Sequence, residues 1–303
     1  MARMNAGFVH SLFKRRNMML FANEIPVIAA LNPYRSIEDV FRTVWERTEP
    51  SQVLKWATAP DMKLENIEKK EERAVRLIQE TNMGSLTKAT VTAAEKAESI
   101  TSIQQIASTF RKEIKSNTSI PEDIKEEIVQ HTISQVQTNY GTKKEAPAIQ
   151  AYAKETSQVV KERNAQFHQR SVGTIDGRKI CIGGRIDAST DDRVIEVKNR
   201  MKRFIDPLPR YDIAQLQTYL FILDRENGEV VEAMHTPEIV SKSTLVPRDR
   251  AFWENTILPH ITPFSHALCT FMEKEDLQKQ FMEKPEHRLE IIRSLWMKAP
   301  HTM

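Results

Sequence analysis

Residues 193–199 read RVIEVKN, a run of β-branched residues that carries one acid and one amine. β-Branched residues favour strands, and successive side chains of a strand point to opposite faces. Ile195 and Val197 are therefore expected to face the core. Glu196 and Lys198 then lie together on the opposite face. The stretch predicts a strand that presents a carboxylate and an ammonium group side by side.

A second strand-like run, ICIGGRID, ends at Asp187, and a short polar turn over residues 188–192 leads from it to RVIEVKN. If the two strands pair antiparallel, Asp187 lies near Glu196. Two close carboxylates repel each other unless a cation lies between them, and their hard oxygen atoms suit Mg²⁺ or Mn²⁺. Lys198 would then orient a water or help to deprotonate it, with the ion as Lewis acid at a phosphoryl oxygen. The pattern predicts a hydrolytic site for phosphodiesters.

The same spacing also has a purely structural interpretation. In that interpretation Glu196 and Lys198 form a solvent-exposed ion pair, which contributes less than about 1 kcal/mol to stability. Two features favour the catalytic interpretation. The helical stretch QLQTY places Gln215 and Tyr219 one turn apart on one face, directly after a basic segment. Glu145, at the start of the helix that precedes the strands, supplies a third carboxylate.

The composition excludes several classes of protein. The 303 residues include only two cysteines, Cys181 and Cys269, which excludes a disulfide framework and a four-cysteine metal site from this chain. This cysteine usage suits a reducing compartment, and we expect an intracellular protein of the cytoplasm or nucleus. A run of about 18 apolar residues is absent, so we expect no membrane span.

The chain divides into four regions by composition and periodicity. We expect a helical N-terminal region at residues 1–58, a charged helical insertion at 59–139, an α/β catalytic core at 140–240 and a helical C-terminal region at 241–303. The net charge of +3 is too small to indicate an anionic partner by itself. The basic segment at residues 198–210 is what a phosphate backbone requires, although such segments also occur on ordinary solvated surfaces.

The order of these motifs resembles a known group of enzymes. An aspartate, then Glu-Val-Lys, then QLQTY is similar to the PD-(D/E)xK nuclease superfamily, in its branch of RecB-like and lambda exonuclease-like enzymes, also called the YqaJ viral recombinase family. Two further stretches resemble that branch, FANEIPVIAALNPYRSIEDVF and YGTKKEAPAIQAYAKE. Together the similar segments span residues 14–58 and 140–222. The aspartate stands in GRIDA, closer to the RecB type than to the SPDG of lambda-type members, which leaves the polarity of digestion open.

The resemblance implies a fold and a catalytic set. The fold class is α/β (α+β), with a restriction-endonuclease-like core: a mixed central sheet flanked by helices, with a helical insertion and a helical C-terminus. Two Mg²⁺ or Mn²⁺ ions are implied, and Lys198 is implied to help activate the attacking water, with Gln215 and Tyr219 completing the catalytic residues. The implied metal ligands are Glu145, Asp187, Glu196 and the backbone carbonyl of Val197.

The resemblance also implies contacts with DNA. Arg16 matches an arginine that grips the 5′-phosphate of the degraded strand, and Asn23 stands where the family often has a serine. For Arg16, a surface position on a basic N-terminal segment is an equally good interpretation. Arg200, Lys202 and Arg203 are expected to follow the phosphate backbone without reading the base sequence.

The residues and the resemblance together predict a metal-dependent DNA exonuclease of linear duplex DNA. The resemblance implies a role in recombination, repair or viral genome processing, and its lambda-type members imply 5′ to 3′ digestion, with the polarity open. The expected partners are duplex DNA ends, a single-strand annealing protein and further copies of the chain, and a viral replication site is one expected location. Two alternatives stay open. One is a structure-specific endonuclease of the same fold, and the other is a non-catalytic DNA-binding or scaffold protein.

Overall fold

The computed structural model describes residues 16–161, 166–236 and 238–297. The helices are α1 (Ile25–Ile28), α2 (Ile37–Thr48), α3 (Pro50–Ala57), α4 (Leu64–Ile67), α5 (Lys70–Glu80), α6 (Gly84–Lys96), α7 (Ile100–Ser116), α8 (Glu122–Thr156), α9 (Arg210–Leu223), α10 (Arg250–Phe252), α11 (Leu258–Met272), α12 (Glu275–Glu283) and α13 (Arg288–Trp296). The strands are β1 (Met18–Phe21), β2 (His168–Ile175), β3 (Arg178–Gly184), β4 (Ala188–Ser189), β5 (Arg193–Asn199), β6 (Asn227–His235) and β7 (Ile239–Pro247). A π-helical turn, Trp253–Ile257, joins α10 to α11.

The strands form two mixed sheets. The first has the order β1-β3-β2, and the second has the order β4-β5-β6-β7. β1 is parallel to β3 and β5 is parallel to β6, whereas the other neighbours are antiparallel. The expected fold class, mixed sheets with flanking helices and a helical C-terminal part, is confirmed. The expected single central sheet is divided in two between β3 and β4.

A tight hairpin joins β2 to β3. Asp176 and Gly177 lie at its tip with φ angles of 49° and 75°. Positive φ at both central residues matches the twist of a two-residue hairpin, and Asp-Gly is a favoured pair for such a turn. The dipeptide is a signal for β2 that the sequence prediction did not use.

Strand β5 is covered on both faces. Val194 belongs to the main hydrophobic core together with helix α9. Ile195 and Val197 belong to a second cluster, in which they pack against Ile149 and Tyr152 of α8. Parallel strands buried on both faces are typical of sheets that lie between helices. The expected alternation of side chains is confirmed, but the face that carries Glu196 is also buried.

The N-terminal region contains a strand that periodicity did not predict. Met18–Phe21 forms β1, which pairs with Ile180–Gly183 of β3 in parallel register. Met and Leu favour helices in isolation, but pairing with a buried strand overrides that preference. Residues 1–15 of this region lie outside the described residues. Strand β7 was likewise not predicted, and it occupies the beginning of the region expected to be helical from residue 241.

Helix α8 is continuous from Glu122 to Thr156 and crosses the boundary expected between residues 139 and 140. Glu145 therefore lies inside a long helix, and the expectation that it begins a helix is wrong. Gly141 costs a helix only about 1 kcal/mol relative to alanine, and the packing of α8 on both sides of it keeps the helix intact. The division of the chain into four domains stays a prediction. Within the described ranges, the helices are too short or too polar to cross a membrane.

Candidate functional site

The centre of the site is a buried ion pair on β5. Nζ of Lys198 lies 2.8 Å from Oε1 of Glu196 and donates a hydrogen bond of 3.0 Å to Oε1 of Gln215. A second carboxylate, Asp212, lies 3.5 Å from the same nitrogen. Only 4% of the Glu196 side chain is exposed, so the alternative of a solvent-exposed pair is wrong.

Asp187 reaches this ion pair from the segment between β3 and β4. Ala188 of β4 pairs antiparallel with Ile195 of β5, which brings the preceding residue beside Glu196 and Val197. Oδ2 of Asp187 accepts a hydrogen bond of 2.7 Å from the backbone nitrogen of Val197. The expected antiparallel return is confirmed. The single strand ICIGGRID is not formed, because β3 ends at Gly184 in the other sheet.

The backbone of Val197 faces the same side as Asp187. In a strand, the N–H and C=O of one residue point toward the same neighbour. Because the nitrogen of Val197 binds Asp187, its carbonyl is directed to that side and away from β6. The carbonyl is therefore available near the carboxylates, where the resemblance implies a metal ligand.

Tyr219 supports the segment that carries Asp187. Its hydroxyl donates a hydrogen bond of 2.7 Å to the carbonyl of Arg185. A Cβ on Gly184 would lie 3.0 Å from the Tyr219 ring, a closer contact than Cβ atoms usually make, so glycine at this position lets the ring pack closely. Tyr219 is 5% exposed. Its position is that of a residue that orients the chain before Asp187, not of one that reaches a substrate.

Burial and the neighbouring carboxylates raise the pKa values of Asp187 and Glu145. Burial raises the pKa of Asp187 well above its usual range, and the charges of Glu196 and Glu145 add to the rise. Burial also raises the pKa of Glu145, with Glu196 adding to it and Lys198 opposing it. For Lys198, burial alone would lower the pKa, but Glu196 and Asp212 outweigh it and the net direction is upward. The lysine is thus a fully charged cation among mutually repelling acids.

A second ion network continues from Asp212. Arg200 donates hydrogen bonds of 2.9 Å to Oδ2 of Asp212 and 2.6 Å to Oε1 of Glu232. Glu232 is completely buried and lies opposite Lys198 on β6. Arg200 is therefore held within the fold by two carboxylates, and the structure does not present it to a phosphate backbone. The reason is that β6 supplies a buried acid that sequence spacing did not connect with β5.

The other expected DNA contacts lie in different places. Lys202 and Arg203 are exposed in the loop between β5 and α9. Asn23 is exposed in the turn after β1, beside Ala22, whose Cβ would be 3.3 Å from a Cβ on Gly184. Asn23 is thus at the same end of the sheet as Asp187.

Arg16 lies at the opposite end of the sheet. Its carbonyl accepts a hydrogen bond from Arg178, at the beginning of β3. Asp187 follows the end of β3, and a strand rises about 3.3 Å per residue, so the length of β3 separates the backbone of Arg16 from the carboxylates by roughly 20 Å. The structure does not bring Arg16 to the site, and its 5′-phosphate role stays a prediction.

The donor chemistry fits a divalent cation. Five carboxylates (Glu145, Asp187, Glu196, Asp212 and Glu232) share two cations, Lys198 and Arg200. Oxygen ligands are what Mg²⁺ and Mn²⁺ take in proteins. Within the described ranges, however, three or more Asp, Glu, His or Cys side chains do not converge in a metal-holding arrangement. In this arrangement Lys198 is bonded to Oε1 of Glu196, and the Val197 nitrogen is bonded to Oδ2 of Asp187.

Asp212 and Glu232 were not identified from the sequence. Asp212 precedes Gln215 by three residues, and helical i,i+3 spacing was a usable signal for it. Glu232 sits in the strand EVVEAMH, where only the register between β5 and β6 reveals that it faces the same side as Lys198.

Comparisons with known proteins give low similarity. The sequence matches no known family model and no curated protein. Among solved structures, SSO0001 is similar at 19% identity with a TM-score of 0.32, covering 56% of this chain and 94% of that one. An alkaline exonuclease from Laribacter hongkongensis is similar at 17% identity with a TM-score of 0.30, covering 66% of this chain and 93% of that one. Its complex with dAMP gives 18% identity, a TM-score of 0.30 and the same coverage. Likeness at this level does not assign the chain to a family.

Proposed function

We propose that this protein is a divalent-metal-dependent deoxyribonuclease that degrades linear duplex DNA from its ends. One observation carries the proposal: Asp187, Glu196 and Lys198 meet on a β4–β5 hairpin, with Gln215 hydrogen-bonded to the lysine. A buried acid pair beside a charged lysine has no evident use in stabilising the fold, since buried ion pairs contribute little net stability.

In this proposal Glu145, Asp187, Glu196 and the carbonyl of Val197 would hold Mg²⁺ or Mn²⁺. Such an ion supplies Lewis acidity at a phosphoryl oxygen and lowers the pKa of a bound water. Gln215 orients Lys198 by accepting its hydrogen bond. Lys198 in turn holds a positive charge where the attacking water and the phosphate meet. Tyr219 fixes the backbone before Asp187 through Arg185.

The remaining expected features belong to the same proposal. Exposed Lys202 and Arg203 would contact the phosphate backbone, and Asn23 lies at the correct end of the sheet for a contact with the end of a strand. The 5′ to 3′ direction, the role in recombination, repair or viral genome processing, a single-strand annealing partner and self-assembly are parts of the proposal that rest on the family resemblance alone.

The test is digestion of end-labelled linear duplex DNA with Mg²⁺ or Mn²⁺. We expect the wild-type protein to shorten the DNA progressively, and Asp187→Asn and Glu196→Gln each to lower the rate at least about 100-fold, the scale of losing a catalytic charge. Asp191→Asn, in the exposed turn four residues later, is the matched control and should digest normally. No digestion by the wild type, or normal digestion by Asp187→Asn, would reject a nuclease at this site.

Closed circular duplex DNA distinguishes the endonuclease alternative. An exonuclease leaves the circle intact, whereas an endonuclease of the same fold nicks it. Binding of DNA without any cleavage, together with no heat on titration with Mn²⁺, would favour the non-catalytic alternative.

A further inference from the structure

An open groove of about 660 Å³ lies between α8 and the turn before α2. One wall is formed by α8, which contributes His131, Ser134 and Thr138. The groove is also lined by Tyr34 and Arg35, from the turn before α2. Its lining carries amides, hydroxyls and charges of both signs, so the groove is polar and not uniformly positive.

The α8 wall of the groove leads to the proposed catalytic site. His131, Ser134 and Thr138 recur at the spacing of one helix face, and Glu145 continues that face seven residues after Thr138. Seven residues of helix rise about 10 Å. A chain that lies in the groove along α8 therefore ends about 10 Å from Glu145 along the helix axis.

Tyr34 reaches the site from the other side. Its ring meets the ring of Tyr211 edge to face, with a centroid distance of 5.7 Å and an interplanar angle of 85°. Tyr211 lies in the first turn of α9, four residues before Gln215 and on the same face. Gln215 accepts the hydrogen bond from Lys198. The two tyrosine rings are thus one helical turn away from the ion pair.

The Tyr34 ring is exposed, and its backbone is fixed by a hydrogen bond within the turn. It is 81% exposed. Its backbone nitrogen donates a hydrogen bond of 2.9 Å to Oδ1 of Asn32, which fixes the turn. An edge-to-face contact with Tyr211 orients the ring and leaves most of its surface free. Rings of this kind, beside a polar groove, are what proteins use to stack the bases of single-stranded nucleic acid.

We propose that Tyr34 and Tyr211 stack against a base of an unpaired nucleic acid strand, and that the groove along α8 carries this strand at the carboxylate cluster. The inference rests on the proposed function and adds a binding position to it: an aromatic surface for one unpaired base, formed by Tyr34 and Tyr211. Stacking is independent of base identity, because every base has an aromatic face.

The test is fluorescence anisotropy with a labelled oligothymidylate in EDTA, where cleavage does not occur. Tyr34→Ala should weaken binding roughly 5- to 150-fold, the ratio that corresponds to about 1–3 kcal/mol of stacking per base. Tyr34→Phe keeps the ring and should bind like the wild type. Leu245→Ala removes another exposed apolar side chain, 59% exposed on β7, and should have no effect.

A blunt duplex of the same length is the second probe, and Tyr34→Ala should change its binding less than twofold. The inference is overturned if the wild type does not bind the oligothymidylate, if Tyr34→Ala binds it normally, if Tyr34→Phe binds as weakly as Tyr34→Ala, or if the duplex loses as much affinity. These readouts need no catalysis. A wild type that binds but does not digest DNA rejects the nuclease and leaves the stacking site standing.

Discussion

Asp187 and Val197 are joined by a hydrogen bond of 2.7 Å, donated by the backbone nitrogen of Val197 to Oδ2 of the carboxylate. The bond fixes the carboxylate to the middle of β5 by backbone geometry, with no second side chain needed to hold it. It also compensates part of the cost of burying the charge, which otherwise raises the pKa of Asp187.

Asp187→Asn should separate metal binding from folding. The side-chain oxygen of asparagine still accepts the bond from Val197, and the repulsion from Glu196 disappears, so the free energy of unfolding in EDTA should equal or exceed that of the wild type. Mn²⁺ at 100 times its dissociation constant should stabilise the wild type by about 2.7 kcal/mol and the variant by much less. Thermal unfolding with and without Mn²⁺ measures both effects. If Mn²⁺ stabilises the two proteins equally, the ion does not bind at Asp187.

Lys198→Met should destabilise the protein strongly. It leaves Glu196 and Asp212 buried without their shared cation, which typically costs about 3–5 kcal/mol. The double variant Lys198→Met, Glu196→Gln should recover part of this loss, because the unpaired charge of Glu196 is gone, whereas Asp212 keeps its ion pair with Arg200. Urea unfolding of the four proteins of the cycle gives the coupling energy.

The matched control for the lysine is Lys279→Met on α12. Lys279 pairs with Glu283 at the surface, where 51% and 32% of the two side chains are exposed. Its loss should cost less than about 1 kcal/mol. If Lys198→Met lowers the free energy of unfolding as little as Lys279→Met does, Lys198 does not compensate the buried charges of Glu196 and Asp212.

Gly184→Ala should disturb the segment that carries Asp187. The added Cβ would lie 3.0 Å from Tyr219 and 3.3 Å from the Cβ of Ala22, and neither neighbour has free space. We expect a loss of about 1–3 kcal/mol in urea unfolding and a lower rate of DNA digestion. Gly84→Ala is the control, since a Cβ there meets nothing within 4 Å. Equal stability of the two variants would mean that the Tyr219 ring is not packed against this strand.

His235 should make the protein sensitive to mild acid. Burial, with a contribution from Lys144, lowers the pKa of His235 to about 4 from 6.5. The unfolded chain therefore binds a proton between pH 6.5 and pH 4 that the folded chain does not, and stability falls as the pH falls through this window. The loss is at most about 3 kcal/mol for a shift of this size.

The measurement for His235 is urea unfolding at pH 7.5 and pH 5. In the wild type, Nε2 of His235 lies 2.8 Å from Oδ1 of Asn199, and His235→Gln keeps a donor for that bond without a titrating group. The variant should lose less stability between the two pH values. His287→Gln, whose side chain is 50% exposed, should behave like the wild type. An unchanged pH dependence in His235→Gln would contradict the assignment.

The parts of the fold that were predicted correctly are those with a strong local pattern. Strand β5 alternates apolar and charged residues, and α9 repeats apolar residues at helical spacing. Strands β1 and β7 were missed because their residues do not alternate clearly, and their pairing partners lie far away in sequence. Such strands are stabilised by tertiary pairing, which local propensity does not record.

The candidate site was predicted in part for the same reason. The proximity of Asp187, Glu196 and Lys198 follows from a short hairpin, which a single stretch of sequence contains. Arg200 was assigned to DNA because its partner Glu232 comes from β6, 32 residues away, and only the strand register brings them together. Sequence spacing identifies side chains that are neighbours on one strand or helix. It does not reveal ion pairs between two different strands or helices.

Helix α8 gives the site a mechanical property. Its first half buries Ile128, Val129 and Ile133 against the helices of the preceding region, and its second half carries Glu145 and packs on β5. One continuous helix therefore joins a surface remote from the carboxylates to one of the carboxylates themselves. A displacement of the helices that hold the first half of α8 would therefore also displace Glu145.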